Sequence, residues 1–156
     1  MSKTELLVSA EEKETILIGI TSLSELKTAP FSKWYIPEYD NYKPKKDLLL
    51  EHINLLDDIK ITVFLGTWCK DTRRLVPRFF KILDALDYPV ENVRIIALDR
   101  NKNVPSNIED DFQIKNVPTF IFYKNGKELN RIVEYAVDSL EEDMLKIVTK
   151  QKYIPY

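Results

Sequence analysis

The chain is short of the residues that build chemistry from clusters. One of its 156 residues is cysteine, Cys69, and one is histidine, His52. A single cysteine excludes an internal disulfide framework and fits a reducing compartment. His52 has no second ligand type at metal spacing, so it reads as structural and no metal site is expected. There is no internal repeat and no low-complexity segment. No apolar run approaches the ~20 residues of a transmembrane helix, so no membrane association is expected. Charge of one sign is lacking too. The net charge is -2, from 23 basic and 25 acidic residues. That balance gives no support to nucleic-acid or anionic-membrane binding. The opening Met1-Ser2-Lys3-Thr4-Glu5-Leu6-Leu7 has no long apolar core or cleavage site, so a cytoplasmic protein is expected, or an exported one if a leader has been removed.

What is present is ordinary for a soluble domain: 44% hydrophobic and 31% charged residues. The length favours one domain, and a chain of this size buries roughly 70% of its unfolded surface without staples. Residues 15–21 are β-branched and apolar and read as a strand. Ser22 with Glu25 caps a short helix that stops near Pro30. Phe31, Trp34, Tyr35, Tyr39 and Tyr42 form an aromatic stretch interrupted by Pro37 and Pro44, expected to be irregular or broken helix. Such a stretch either lines a groove or anchors its segment to the sheet, and anchoring is the preferred reading. Asp47–Leu56 carries Leu49, Ile53 and Leu56 at helical spacing.

From there strands and helices alternate. Residues 61–65 form a buried-type strand, and Cys69 opens a helix with Leu75, Val76, Phe79, Phe80, Leu83 and Leu86 on its apolar face. Pro77 lies inside that pattern, where proline disturbs a helix. Residues 93–98 form a strand and 106–112 a short helix. Residues 120–123 and 129–135 form a hairpin through Asn125-Gly126. Ser139 and Glu142 cap the last helix, whose core face is Leu140, Met144, Ile147 and Val148. This alternation predicts an α/β domain with parallel strand pairs.

Two motifs carry chemistry. Gly66-Thr67-Trp68-Cys69-Lys70-Asp71-Thr72 closes one strand, and Val117-Pro118-Thr119 opens a later one. In that order, with Pro77 eight residues after Cys69 and Asn125-Gly126-Lys127 at the hairpin, the chain resembles the thioredoxin-like superfamily. Its Trp-Cys-x-Asp-Thr form looks like a bacterial branch with Thr72 in place of the second cysteine. The resemblance implies a thioredoxin fold, a mixed sheet flanked by helices, in one domain over residues 1–156. Residues 47–149 are its core and 1–46 an N-terminal extension. It also implies a cis peptide before Pro118, facing Cys69. The backbone of Val117 would then bind an extended substrate, with Trp68 and Thr119 beside it. Val63 stands where typical members bury an aspartate.

A lone thiol at a helix start has a definite chemistry. Backbone N–H groups at a helix N-terminus favour an anion. Lys70 and Arg73 are expected to tune the thiol toward it, and the Thr72 hydroxyl to donate to it. Without a second cysteine, Cys69 cannot release its own mixed disulfide, so a monothiol oxidoreductase is expected. Its substrates are protein disulfides or mixed disulfides. No bound cofactor is expected; an external small thiol or reductase is expected to supply the electrons. The alternative is a binding module of the same fold in which Cys69 is inactive or senses redox state.

Overall fold

The computed structural model describes residues 5–8 (by backbone), 15–104 and 107–156. The opening residues 1–4, part of the segment read for a leader, and residue 106 of the expected short helix lie outside them. Among the described residues six strands form one sheet in the order β1-β2-β4-β3-β5-β6. They are β1 (Glu5–Val8), β2 (Thr15–Thr21), β3 (Ile59–Leu65), β4 (Val93–Ala97), β5 (Thr119–Lys124) and β6 (Lys127–Val133). Among the described residues β3 and β4 pair in parallel, and β1–β2, β2–β4, β3–β5 and β5–β6 are antiparallel.

The central strands β3 and β5 are buried on both faces over most of their length, which explains why they read as continuous apolar runs. Side chains alternate faces along a strand. Val63 and Leu65 therefore enter one core with Phe120, Phe122, Ile95 and Ala97. Phe64 enters the other with Ile121 and Ile96. At the β5–β6 turn, Asn125 and Gly126 both have positive φ, 52° and 79°. Mirror-image hairpin turns need that geometry, which asparagine and glycine tolerate best.

Helix α4 (Lys70–Ala85) lies on the first core with Leu75, Val76, Phe79, Phe80 and Leu83 buried. It runs through Pro77 unbroken. An interior proline costs about 3 kcal/mol. Burying each of those large side chains contributes about 1.5–3 kcal/mol, so packing wins. Helix α6 (Leu140–Val148) packs on the same face, and Ser139 caps it by accepting from the Glu142 N–H at 3.0 Å. On the opposite side lies the single turn α5 (Ile108–Asp111), with Ile108 against the second core. Ser22 caps α1 (Leu23–Leu26) through the Glu25 N–H in the same way.

Two expectations are corrected. The aromatic stretch is not broken: α2 (Ser32–Asn41) is one helix with Pro37 inside it. Pro37 and Lys33, whose carbonyl it leaves without its i+4 donor, are both exposed, on the solvent side of the helix. Tyr35 is fully buried, and α2 packs against α4. Three cations of α4 meet rings of the aromatic stretch: Arg73 over Trp34 at 5.9 Å, Arg78 over Tyr42 at 5.2 Å and Lys81 over Tyr39 at 4.4 Å. The stretch anchors its segment to α4, and Phe31 and Tyr35 join the core that includes Val63 and Leu65 of β3. Asp47–Leu56 is likewise not one helix. It is the turn α3 (Asp47–Leu50) followed by a 3-10 turn at Ile53–Leu56, with His52 between them. Only Leu49 and Leu56 are buried there, while Leu48, Leu50 and Leu55 face solvent. Two buried anchors do not sustain a helix of that length.

Candidate active site around Cys69

β3 ends at Leu65 and α4 begins at Lys70, so Gly66–Cys69 make the connection. The Cys69 N–H donates to the Gly66 carbonyl at 2.9 Å, closing a tight turn. Cys69 is the N-cap of α4, half-buried, and its side chain makes no capping bond. The sulfur is thus left at the positive end of the helix dipole. Its thiol donates to the Val117 carbonyl at 3.6 Å. The Val117–Pro118 peptide is cis. Both residues are buried, and Thr119 Oγ1 donates to the Asn116 carbonyl at 2.6 Å, clamping the turn that precedes β5.

The structure therefore gathers Trp68, Cys69, Val117, Pro118 and Thr119 where two strand ends meet. Thr72 stands differently. It is fully buried, and its hydroxyl accepts from the Gly66 N–H at 3.2 Å. The expected donation to the sulfur is not made; Thr72 secures the turn on which the sulfur sits. Lys70 is exposed on the first residue of α4. Arg73 Nε donates to the Thr67 carbonyl at 2.8 Å. Arg73 thus holds the turn from one side while touching Trp34 on the other. Val63 is completely buried beside Ile95 and Phe120, with no carboxylate in its place.

Several contributors were missed from sequence. A Cβ on Gly66 would lie 2.6 Å from Cε2 of Trp68, so the indole can lie over this residue only if it is glycine. Trp68 Nε1 donates to the Leu98 carbonyl at 2.9 Å, and Arg100 lies over its ring at 5.9 Å. Thr67 is buried and accepts from the Leu17 N–H at 3.2 Å, tying the turn to β2. A glycine two positions before a tryptophan, in a chain with three glycines, was the available signal. Nothing local marks Leu98 or Leu17, which reach the site through β4 and β2.

The family pattern described as Thioredoxin matches residues 45–147, about two-thirds of the chain. The chain belongs to the thioredoxin family. Its fold is the thioredoxin fold, a mixed sheet flanked by helices. Thioredoxin Asp f 28 of Aspergillus fumigatus is 33% identical over 87 residues, 55% of this chain and 74% of that protein. Thioredoxin H2 of Arabidopsis thaliana is 29% identical over 84 residues, 54% of this chain and 59% of that protein. The structure of reduced Schistosoma mansoni thioredoxin has 26% identity over 65% of this chain and 86% of that one, with a TM-score of 0.43. These relatives are eukaryotic and do not bear on the expected bacterial branch. Among the described residues there is no cluster of metal-ligating side chains, and no helix is long and apolar enough to cross a membrane.

Proposed function

We propose that this thioredoxin-family protein is a thiol-disulfide oxidoreductase working through one thiol. The observation that supports it is Cys69: the chain's only cysteine, half-buried at the N-cap of α4, against the Val117 carbonyl beside Pro118. As thiolate, Cys69 attacks one sulfur of a protein disulfide or mixed disulfide. A Cys69–substrate disulfide forms, and the other sulfur leaves as thiolate. An external thiol then attacks the Cys69 sulfur and frees the substrate thiol. A second external thiol regenerates Cys69 and leaves as a small-molecule disulfide. The electron pair thus passes from two external thiols to the substrate. Thr72 holds the turn but has no sulfur for the release step. Val117 offers backbone groups to an extended substrate, flanked by Trp68, Pro118 and Thr119. The external thiol pool this cycle requires fits the cytoplasm.

The test is exchange of a protein–glutathione mixed disulfide in excess small thiol. Wild type should catalyse it and Cys69→Ser should not. Reduction driven by thioredoxin reductase should be poor for both. No exchange by wild type, with partner capture surviving Cys69→Ser, would replace this reading with the binding module.

A further inference from the structure

The loop after β6 and the segment Tyr153–Tyr156 converge on the rim of the Cys69 site. The Glu134 N–H donates to the Pro118 carbonyl at 2.7 Å, so the loop is fastened to the proline beside Cys69. The next residue, Tyr135, is 43% exposed. Its hydroxyl pKa is raised, first by the adjacent Glu134 carboxylate and then by Asp71 of α4. Tyr135 also lines a cavity with Arg74, Leu75 and Arg78 of α4, so it stands between the proline side and the cysteine helix. Tyr156, 70% exposed, meets the Tyr135 ring edge-on with centroids 6.1 Å apart.

The path of residues 153–156 is fixed by buried polar contacts. Tyr153 packs in the core beneath α6 and donates its hydroxyl to buried Asp143 at 2.6 Å. Asp143 also accepts from the Val137 N–H at 2.6 Å and the Asp138 N–H at 3.1 Å, in the loop that bears Tyr135. One carboxylate therefore sets both the loop and the segment. Asn130 on edge strand β6 donates to the Tyr153 carbonyl at 2.8 Å. Pro155 and Tyr156 then wall a cavity of about 570 Å³ whose other sides include Asn116, Thr119, Arg131 and Val133. Asn116 and Thr119 flank the Val117–Pro118 segment in the chain, so this cavity lies next to the strand end that meets Cys69.

We infer that Tyr135 and Tyr156 are specificity-determining residues. They form an aromatic wall against which a protein substrate lays an aromatic side chain close in sequence to the attacked cysteine. The inference rests on the monothiol reading. Its chemistry follows from the lining. Of the eight exposed large hydrophobics among the described residues, four lie in these two segments: Tyr135, Val137, Ile154 and Tyr156. The rest of the lining is polar or charged, with Lys115, Glu128 and Arg131 beside Gln113, Asn116 and Asn130. Offset and edge-to-face contacts to two tyrosines favour an aromatic partner over an aliphatic one.

The probes are short single-cysteine peptides joined by a disulfide to 2-nitro-5-thiobenzoate. Attack of Cys69 on the peptide sulfur forms the Cys69–peptide disulfide and releases the coloured thiolate. Peptides carrying Phe or Ser at each position flanking the cysteine are compared, with the 2-mercaptoethanol adduct as a probe that has no peptide. Wild type should prefer Phe over Ser at one position by about tenfold. Tyr156→Ala and Tyr135→Ala should reduce the ratio to within about twofold, and Tyr156→Phe should keep it. Tyr156 is exposed, so its replacement leaves the fold intact. A wild-type ratio near one at every position, or a ratio unchanged in both alanine variants, overturns the inference. If wild type releases no thiolate even from the 2-mercaptoethanol adduct, the monothiol reading fails and takes this inference with it.

Discussion

The Cys69 thiol touches the carbonyl oxygen of Val117, 48 residues away in sequence, at 3.6 Å. That contact joins a strand-to-helix turn to a proline-led strand, and it defines the site. The same residues show how the turn is kept in place. Thr67 is bonded to Leu17, Thr72 to Gly66, Arg73 to Thr67, and Trp68 to Leu98.

Gly66→Ala should disturb the site without entering it. The added methyl would meet the Trp68 ring at 2.6 Å, so the indole must turn away and its bond to Leu98 is lost. The expected destabilisation is about 1–3 kcal/mol. Urea unfolding followed by far-UV circular dichroism measures it. A shift in Trp68 emission, read in a Trp34→Phe background, reports the displaced ring. Unchanged stability and emission would show that the ring does not depend on glycine.

Thr72→Cys should give the chain the dithiol it lacks. The position is three residues after Cys69 at the start of α4, a spacing that brings two sulfurs within bonding range. The variant should lose both free thiols on mild oxidation and gain disulfide reduction coupled to thioredoxin reductase. Recovery should be partial, because buried Val63 supplies no carboxylate for proton transfer. The variant also replaces the hydroxyl that accepts from Gly66, costing about 1 kcal/mol in stability. Two titratable thiols persisting after oxidation would rule out the expected pair.

Asp143→Ala should be among the most damaging single changes. The carboxylate is fully buried and accepts from Val137, Asp138 and Tyr153. Removing it leaves three donors to find new partners, at about 1–3 kcal/mol for each that stays dry. A loss of at least about 3 kcal/mol in chemical unfolding is expected. Hydrogen exchange at the Val137 and Asp138 amides should rise with it. A loss below about 1 kcal/mol would mean that water replaces the carboxylate without strain.

Alkaline pH should unfold the protein earlier than a chain of unperturbed tyrosines. Burial pushes the Tyr88 hydroxyl up to about 12, and burial followed by the bond to Asp84 pushes Tyr39 up to about 12. Tyr35, Tyr42 and Tyr153 are raised as well, chiefly by burial. A raised folded-state pKa favours the neutral phenol. Its stabilisation is complete below about pH 10, where the unfolded chain is also protonated, and falls as pH rises through the folded value. Between about pH 10 and 12 buried Tyr88 alone contributes a slope near 1.4 kcal/mol per pH unit. Urea midpoints should fall steeply over that window. Tyr88→Phe should flatten the slope, though it loses the hydrogen bond to the Ile59 carbonyl. Equal slopes in both proteins would remove Tyr88 from the account.

Much of this protein was decided locally and is legible in its sequence. The Asn125-Gly126 turn, the caps at Ser22 and Ser139 and the apolar stripe of α4 follow from short-range rules of dihedral preference and periodicity. Cys69 at a helix start is of the same kind, because a strand, a turn and a helix are consecutive in the chain. The pairing of Cys69 with Val117 was not local, and only the motif order pointed to it. Tertiary structure decided the rest. The α2 stretch became one helix despite Pro37 because α4 offers it a packing face and cations, while Asp47–Leu56 lost its helix because too few of its apolar residues find a core. Thr72 turned toward Gly66 rather than the thiol, and Tyr156 reached the rim of the site by way of buried Asp143. For α2, Asp47–Leu56 and Tyr156 the deciding partner lies on another element. Its contribution to the free energy depends on a distance that no local pattern encodes.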